Sequence, residues 1–105
     1  MPVAPDYMKK AAQKALKDRA EVPNSRKAGT RIGLTRANQL SRGDDLSLDT
    51  LVRMRSFLLR HRDNYLRAVS NKLDNKTSKV IQAVNLWGSM RALSWLNSQI
   101  NKLQK

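Results

Sequence analysis

Apolar residues recur at intervals of three and four through most of this chain. That period belongs to amphipathic helices, so the pattern predicts an all-α protein with four helical segments and no strands. Asp6 is placed to cap a first helix over residues 6–20. Met8, Ala11, Ala12, Ala15 and Leu16 form one face of it, and Lys9, Lys10, Lys14 and Lys17 cover the rest. The apolar stripe is mostly alanine and offers little area, so this helix is expected to pack weakly and to dock on a partner. Pro23, Asn24 and Gly29 mark residues 21–29 as a loop and the expected hinge.

Thr30 opens a second helix over residues 31–42, with Ile32, Leu34, Ala37 and Leu40 available to the core. Gly43 stands where a helix ends in the left-handed conformation. Ser47 is a good N-cap for a third helix, and Asp49 in its first turn complements the helix dipole. Leu48, Leu51, Val52, Leu58, Leu59, Leu66, Val69 and Leu73 fall on one broad face of it. Arg55 and Arg62 project into that stripe, so a break is expected near residues 61–64, where Asp63 is placed to cap a new helix.

A last helix is expected over residues 78–103. Val80, Ala83, Val84, Trp87 and Met90 define one face, and Leu93, Leu96, Ile100 and Leu103 another, with Gly88 near the switch. Either the helix kinks there or it packs on two sides. The expected architecture is a small bundle of three to five helices, with a central helix hairpin and a long C-terminal helix packed across it. By this reading, residues 1–29 are a basic N-terminal helix and hinge, and residues 30–105 are the helical core domain.

Charge changes the picture most. The chain of 105 residues carries 21 Lys and Arg against 8 Asp and Glu, a formal net charge of +13. Such a surplus repels itself in a compact state and points to a polyanionic partner. Residues 1–43 hold ten basic and three acidic residues, and residues 75–105 hold five basic ones and no acid. The middle is nearly neutral, as expected for a central core between two cationic ends. Lys9, Lys10, Lys14, Lys17, Arg26, Lys27, Arg31, Arg36 and Arg42 are the expected phosphate-contacting residues. Arg53, Arg60 and Arg67, spaced at seven, read instead as a solvated face balanced by Asp49 and Asp63.

Catalytic chemistry finds little support. There is no cysteine, which excludes disulfides, thiolate metal sites and cysteine nucleophiles. The single histidine, His61, has Asp63 two residues on, a spacing that does not converge on a helix, so it reads as a surface or helix-end residue. The four glycines match no phosphate-loop pattern. A non-enzymatic protein with no cofactor and no metal is expected. The opening MPVAPDYMKK lacks the apolar core of a signal peptide, and no run has the length of a membrane span, so a soluble chain without a membrane partner is expected.

Two arrangements remain to be weighed. Residues 30–42, the GDDL turn and the Ser47-capped helix have the parts of a helix-turn-helix. However, Asp44, Asp45 and Asp49 crowd the would-be recognition helix with negative charge, which favours plain hairpin packing. Trp87 and Trp95 on the acid-free last helix suit the core better than base stacking. Together with Met90 and Leu96 they form the candidate protein interface, Trp95 being the better placed.

The segment Gly33-Leu34-Thr35-Arg36-Ala37-Asn38-Gln39-Leu40-Ser41-Arg42-Gly43, with Leu46-Ser47-Leu48-Asp49-Thr50-Leu51 and Arg53-Met54-Arg55-Ser56-Phe57-Leu58-Leu59-Arg60-His61 after it, resembles a module in small uncharacterised proteins of tailed bacteriophages. There a glycine-ended helix with an Arg-Ala pair leads through a Leu-Ser turn into an Arg-Met…Ser-Phe…Arg-His helix. The resemblance covers residues 33–61 and brings no functional residues with it. It implies a viral protein of the host cytoplasm or the virion. The expected partner is nucleic acid, duplex DNA first, held by backbone electrostatics. The alternative is a protein-binding module, a virion component or an inhibitor of a host enzyme, meeting an acidic protein or, through the last helix, a second copy of the chain.

Overall fold

The computed structural model describes residues 2–28 and 30–104, and Gly29 of the expected loop lies outside them. Five α-helices follow in order: α1 (Asp6–Ala20), α2 (Arg31–Arg42), α3 (Leu48–Ser70), α4 (Lys79–Leu86) and α5 (Ala92–Leu103), with a 3-10 turn at Asn24–Arg26. There is no strand among the described residues. A lone antiparallel bridge joins Val3 to Asp45, and Leu46 N–H donates to Pro2 O at 2.8 Å. The protein is all-α, and its 13.1 Å radius of gyration is close to the ~13 Å of a compact chain of this length.

Local chemistry accounts for most of the boundaries. The hydroxyls of Thr30, Ser47 and Ser78 accept from the backbone N–H groups of Gly33, Thr50 and Ile81, capping α2, α3 and α4. Gly43 ends α2 at φ 74°. Asp6 does not cap α1. It is the first helical residue, where its charge faces the positive end of the helix dipole, and Pro5 occupies the cap.

The alanine stripe, expected to pack weakly, is sealed. Met8, Ala12 and Ala15 are fully buried, because small side chains let α1 lie close against both α2 and α4. Close approach replaces side-chain area as the source of burial. α2 leads into α3 through a short turn anchored by buried Leu46. α4 packs against α1, α2 and α3, and α5 packs on α3.

Two other expectations are corrected. α3 runs unbroken from Leu48 to Ser70, with no new helix at Asp63. Its buried stripe is Leu51, Met54, Leu58 and Ala68, with His61 and Tyr65 half-buried between them. This register turns Arg62 outward, so no break is needed to free it. The same register leaves Leu59, Leu66, Val69 and Leu73 exposed, and on α2 it leaves Ile32 exposed as well.

The switch expected at Gly88 is a break. Trp87 ends α4, Gly88 and Ser89 take φ values of 98° and 85°, and Ser89 N–H reaches back to Val84 O. The two apolar faces of the last segment thereby become two helices, each with its own buried side.

Candidate functional site

A groove of about 620 Å³ opens between the start of α2, the middle of α3 and the end of α4. Arg53, Ser56, Phe57 and Arg60 project into it from α3, their spacing of three and four placing them on one face. His61 and Val52 extend that wall. Thr30 and Ile32 form the opposite lip, and Trp87 closes the end. No carboxylate lines the groove.

Its floor is a cation and three rings packed in series, of which Trp87 and Phe57 are stacked face to face and His61 is tilted by 48°. The Arg36 guanidinium lies 5.8 Å from the Trp87 ring centroid. Trp87 stacks on Phe57 with centroids 4.3 Å apart and planes within 9°. Phe57 in turn meets His61 at 4.3 Å, one helical turn along α3. Gly33 eases this approach: a Cβ there would stand 3.2 Å from Trp87 Nε1, a tight contact that would push α2 and the indole apart by a few tenths of an ångström.

The electrostatics of the groove are one-sided. Arg53 Nε donates to Asp49 Oδ2 at 2.8 Å, whereas Arg60 has no ion pair among the described residues. Burial and then the positive charge of Arg53 hold the Arg36 guanidinium below its ordinary pKa, against the pull of Asp49. Cationic charge on this wall is therefore incompletely neutralised from within the chain.

The nine basic residues expected to contact phosphate have different situations. Lys10, Lys17, Arg26 and Arg31 are exposed, and Lys10 and Lys17 share one face of α1. Lys9 is half-buried, its Nζ near Gly43. Lys14 is exposed but donates to Asp18 at 2.9 Å. Three more have internal partners: Lys27 Nζ donates to Arg19 O, Arg36 Nη1 to Gln39 Oε1, and Arg42 Nη2 to Asp44 Oδ2 at 2.8 Å. Of the four proposed interface residues, Trp87 and Leu96 are interior, at 6% and 0% exposure, and Met90 and Trp95 are half-buried against the core. The buried pair is unavailable to a partner.

Arg60, Phe57 and His61 were not singled out for binding by residue pattern. A spacing rule that seeks a seven-residue stripe of arginines groups Arg60 with Arg67. It is the helix face shared by positions 53, 56, 57 and 60 that marks the groove. Arg36, Arg53, Phe57, Arg60 and His61 come from two helices and meet here.

A second concavity, of about 570 Å³, lies where α1 meets the α3–α4 connection and is lined by Lys14, Asp18, Tyr65, Asn75 and Lys76 among others. Its charges are matched within the chain, and its centre is a satisfied polar network. Asn75 donates to Asp18 Oδ2 at 3.0 Å, accepts from Asn85 Nδ2 at 2.7 Å, and gives its carbonyl to Gln82 Nε2 at 2.8 Å. Gln82 Oε1 takes the N–H of Ala28 at 2.6 Å, which ties the loop after α1 to α4. Burial pushes the Asp18 carboxyl up, but hydrogen bonds from Lys14 and Asn75, with the charges of Lys14 and Lys76, bring it below the ordinary value.

No group of three or more potential metal ligands occurs among the described residues, and no helix among them is long and apolar enough to cross a membrane. Comparison of the chain with protein-family models, curated proteins and solved structures found no match. Fold and site together define a small all-α protein with a basic, aromatic-floored groove.

Proposed function

We propose that this is a small, non-enzymatic phage protein that associates with nucleic acid through its phosphates. The observation that carries the reading is the imbalance of exposed charge. Against 21 basic residues, four ion pairs form among the described residues. The exposed cations of α1 and the start of α2 stand over a core that already holds together without them. Binding of this kind draws its free energy from release of condensed counterions and reads little sequence.

The test is a titration of duplex DNA at two salt concentrations. Affinity is expected to fall by orders of magnitude between about 50 and 200 mM salt. Changing Lys10, Lys17 and Arg31 to Glu together is expected to weaken binding to all sequences alike and to lower the salt slope by about 3. A salt-insensitive complex, or a triple variant that binds as before, overturns the reading.

A second reading, a protein-binding module, has its own support on α3. Leu59, Leu66 and Val69 are exposed along one side of it, and Leu73, exposed in the turn just beyond its end, extends the apolar patch. Flanked by Arg62 and Arg67, this stripe suits an acidic amphipathic partner and repels a second copy of so cationic a chain. Replacing Leu66 by Ser separates the two readings, since it leaves DNA affinity unchanged and removes a contact to protein.

A further inference from the structure

We infer that the groove between α2 and α3 holds one unpaired nucleotide of a single strand, with its phosphate between Arg53 and Arg60 and its base between the wall at His61 and Val52 and the opposite lip at Ile32. This rests on the nucleic-acid reading and adds where, and in which form, the strand is held.

Size and chemistry carry the argument. A volume of about 620 Å³ is that of a small-molecule site, enough for a nucleotide. A duplex keeps its bases paired and stacked, and it would meet only the rim. Arg60, with no ion pair among the described residues, and Arg53, whose partner Asp49 is exposed and stands outside the groove lining, set two guanidiniums on one helix face, complementary to a phosphate. Apolar and aromatic surface beside them suits the face of a base. Arg36, Trp87 and Phe57 are already stacked upon one another, which leaves His61, half-buried at the end of the series, as the ring a base can join. Ile32 is 55% exposed at the lip. It makes little contribution to the core and is placed to cover an occupant.

The experiment uses the intact chain and a fluorescently labelled single strand of about 12 nucleotides at about 50 mM salt, read by anisotropy. Competitors are the unlabelled strand, a duplex of the same length and an oligoglutamate of matched charge. The single strand is expected to compete about tenfold better than the duplex, and the oligoglutamate poorly. Arg60→Gln and Ile32→Ser, both at exposed positions, are each expected to weaken single-strand binding about five- to tenfold. Both should leave duplex binding within about twofold and the urea midpoint unchanged.

Equal affinity for strand and duplex, or variants that weaken both alike, overturns this inference and leaves the wider reading standing. Displacement by oligoglutamate as effective as by the strand also overturns it, because the groove would then recognise charge alone. Absence of binding to either nucleic acid removes both.

Discussion

Gly88 does two jobs that no other residue can do together. Its φ of 98° turns the chain out of α4, and its missing side chain is the seat of Met8. A Cβ there would lie 2.9 Å from Met8 Cε, 3.3 Å from Met8 Cβ and 3.4 Å from Leu40 Cδ1. Backbone and packing penalties therefore add, and Gly88→Ala is expected to destabilise the protein by about 3 kcal/mol. Gly43 makes a useful control. It too is left-handed, at φ 74°, but a Cβ there meets only the end of the flexible Lys9 side chain, at 3.5 Å. Gly43→Ala is expected to cost about 1 kcal/mol, the backbone share alone. Urea midpoints of the two variants check the ranking, and equal losses would show that the turn rather than the contact with Met8 dominates.

At the scale of elements, α3 shows how much of this fold is legible in the chain and where legibility stops. Its start follows from Ser47, and the start and end of α2 from Thr30 and Gly43, because caps are local chemistry written in single residues. Which of its many leucines are interior is a different matter. A broad apolar face allows more than one register, and the choice depends on where α4 and α5 lie. Neighbouring residues therefore have opposite fates: Leu58 is fully buried, whereas Leu59 is 55% exposed. Leu58→Ala is expected to cost about 3 kcal/mol and Leu59→Ala less than about 0.5 kcal/mol, by chemical denaturation. The groove was hidden for the same reason. Arg53 and Arg60 look like a solvated stripe until Gly33 and Trp87 are known to stand opposite them, and no spacing within α3 shows that. The alanine stripe of α1 is short of side-chain area, yet its small size admits two neighbours at close range, a gain that no residue count within α1 shows.

Across the whole molecule, the network centred on Asn75 joins segments far apart in the chain: α1 through Asp18, the loop at Ala28 through Gln82, and α4 through Asn85. Asp18 titrates below its ordinary range in the folded state. Between the folded and unfolded values the native protein binds fewer protons than the unfolded chain. Stability is therefore full above the ordinary carboxylate range and is lost as pH falls through it and below. Asp74, lowered by its hydrogen bond from Thr77, acts in the same direction. Asp18→Asn is expected to lower stability near neutrality and to flatten this acid limb, measured as urea midpoints at about pH 7 and pH 3. A limb as steep as that of the wild type assigns the loss to other carboxylates. The seat of Met8 at Gly88 also has a meaning in time. α1 leaves the ribosome well before the turn that receives it, which is made many residues later, several seconds at about 5–20 residues per second. Until then only α2 is there to cover its alanine face, and the side that α4 will take stays open on a lysine-rich helix. The maturation of this protein is in that respect a race, in which its own last turn must capture the first helix before a polyanion does.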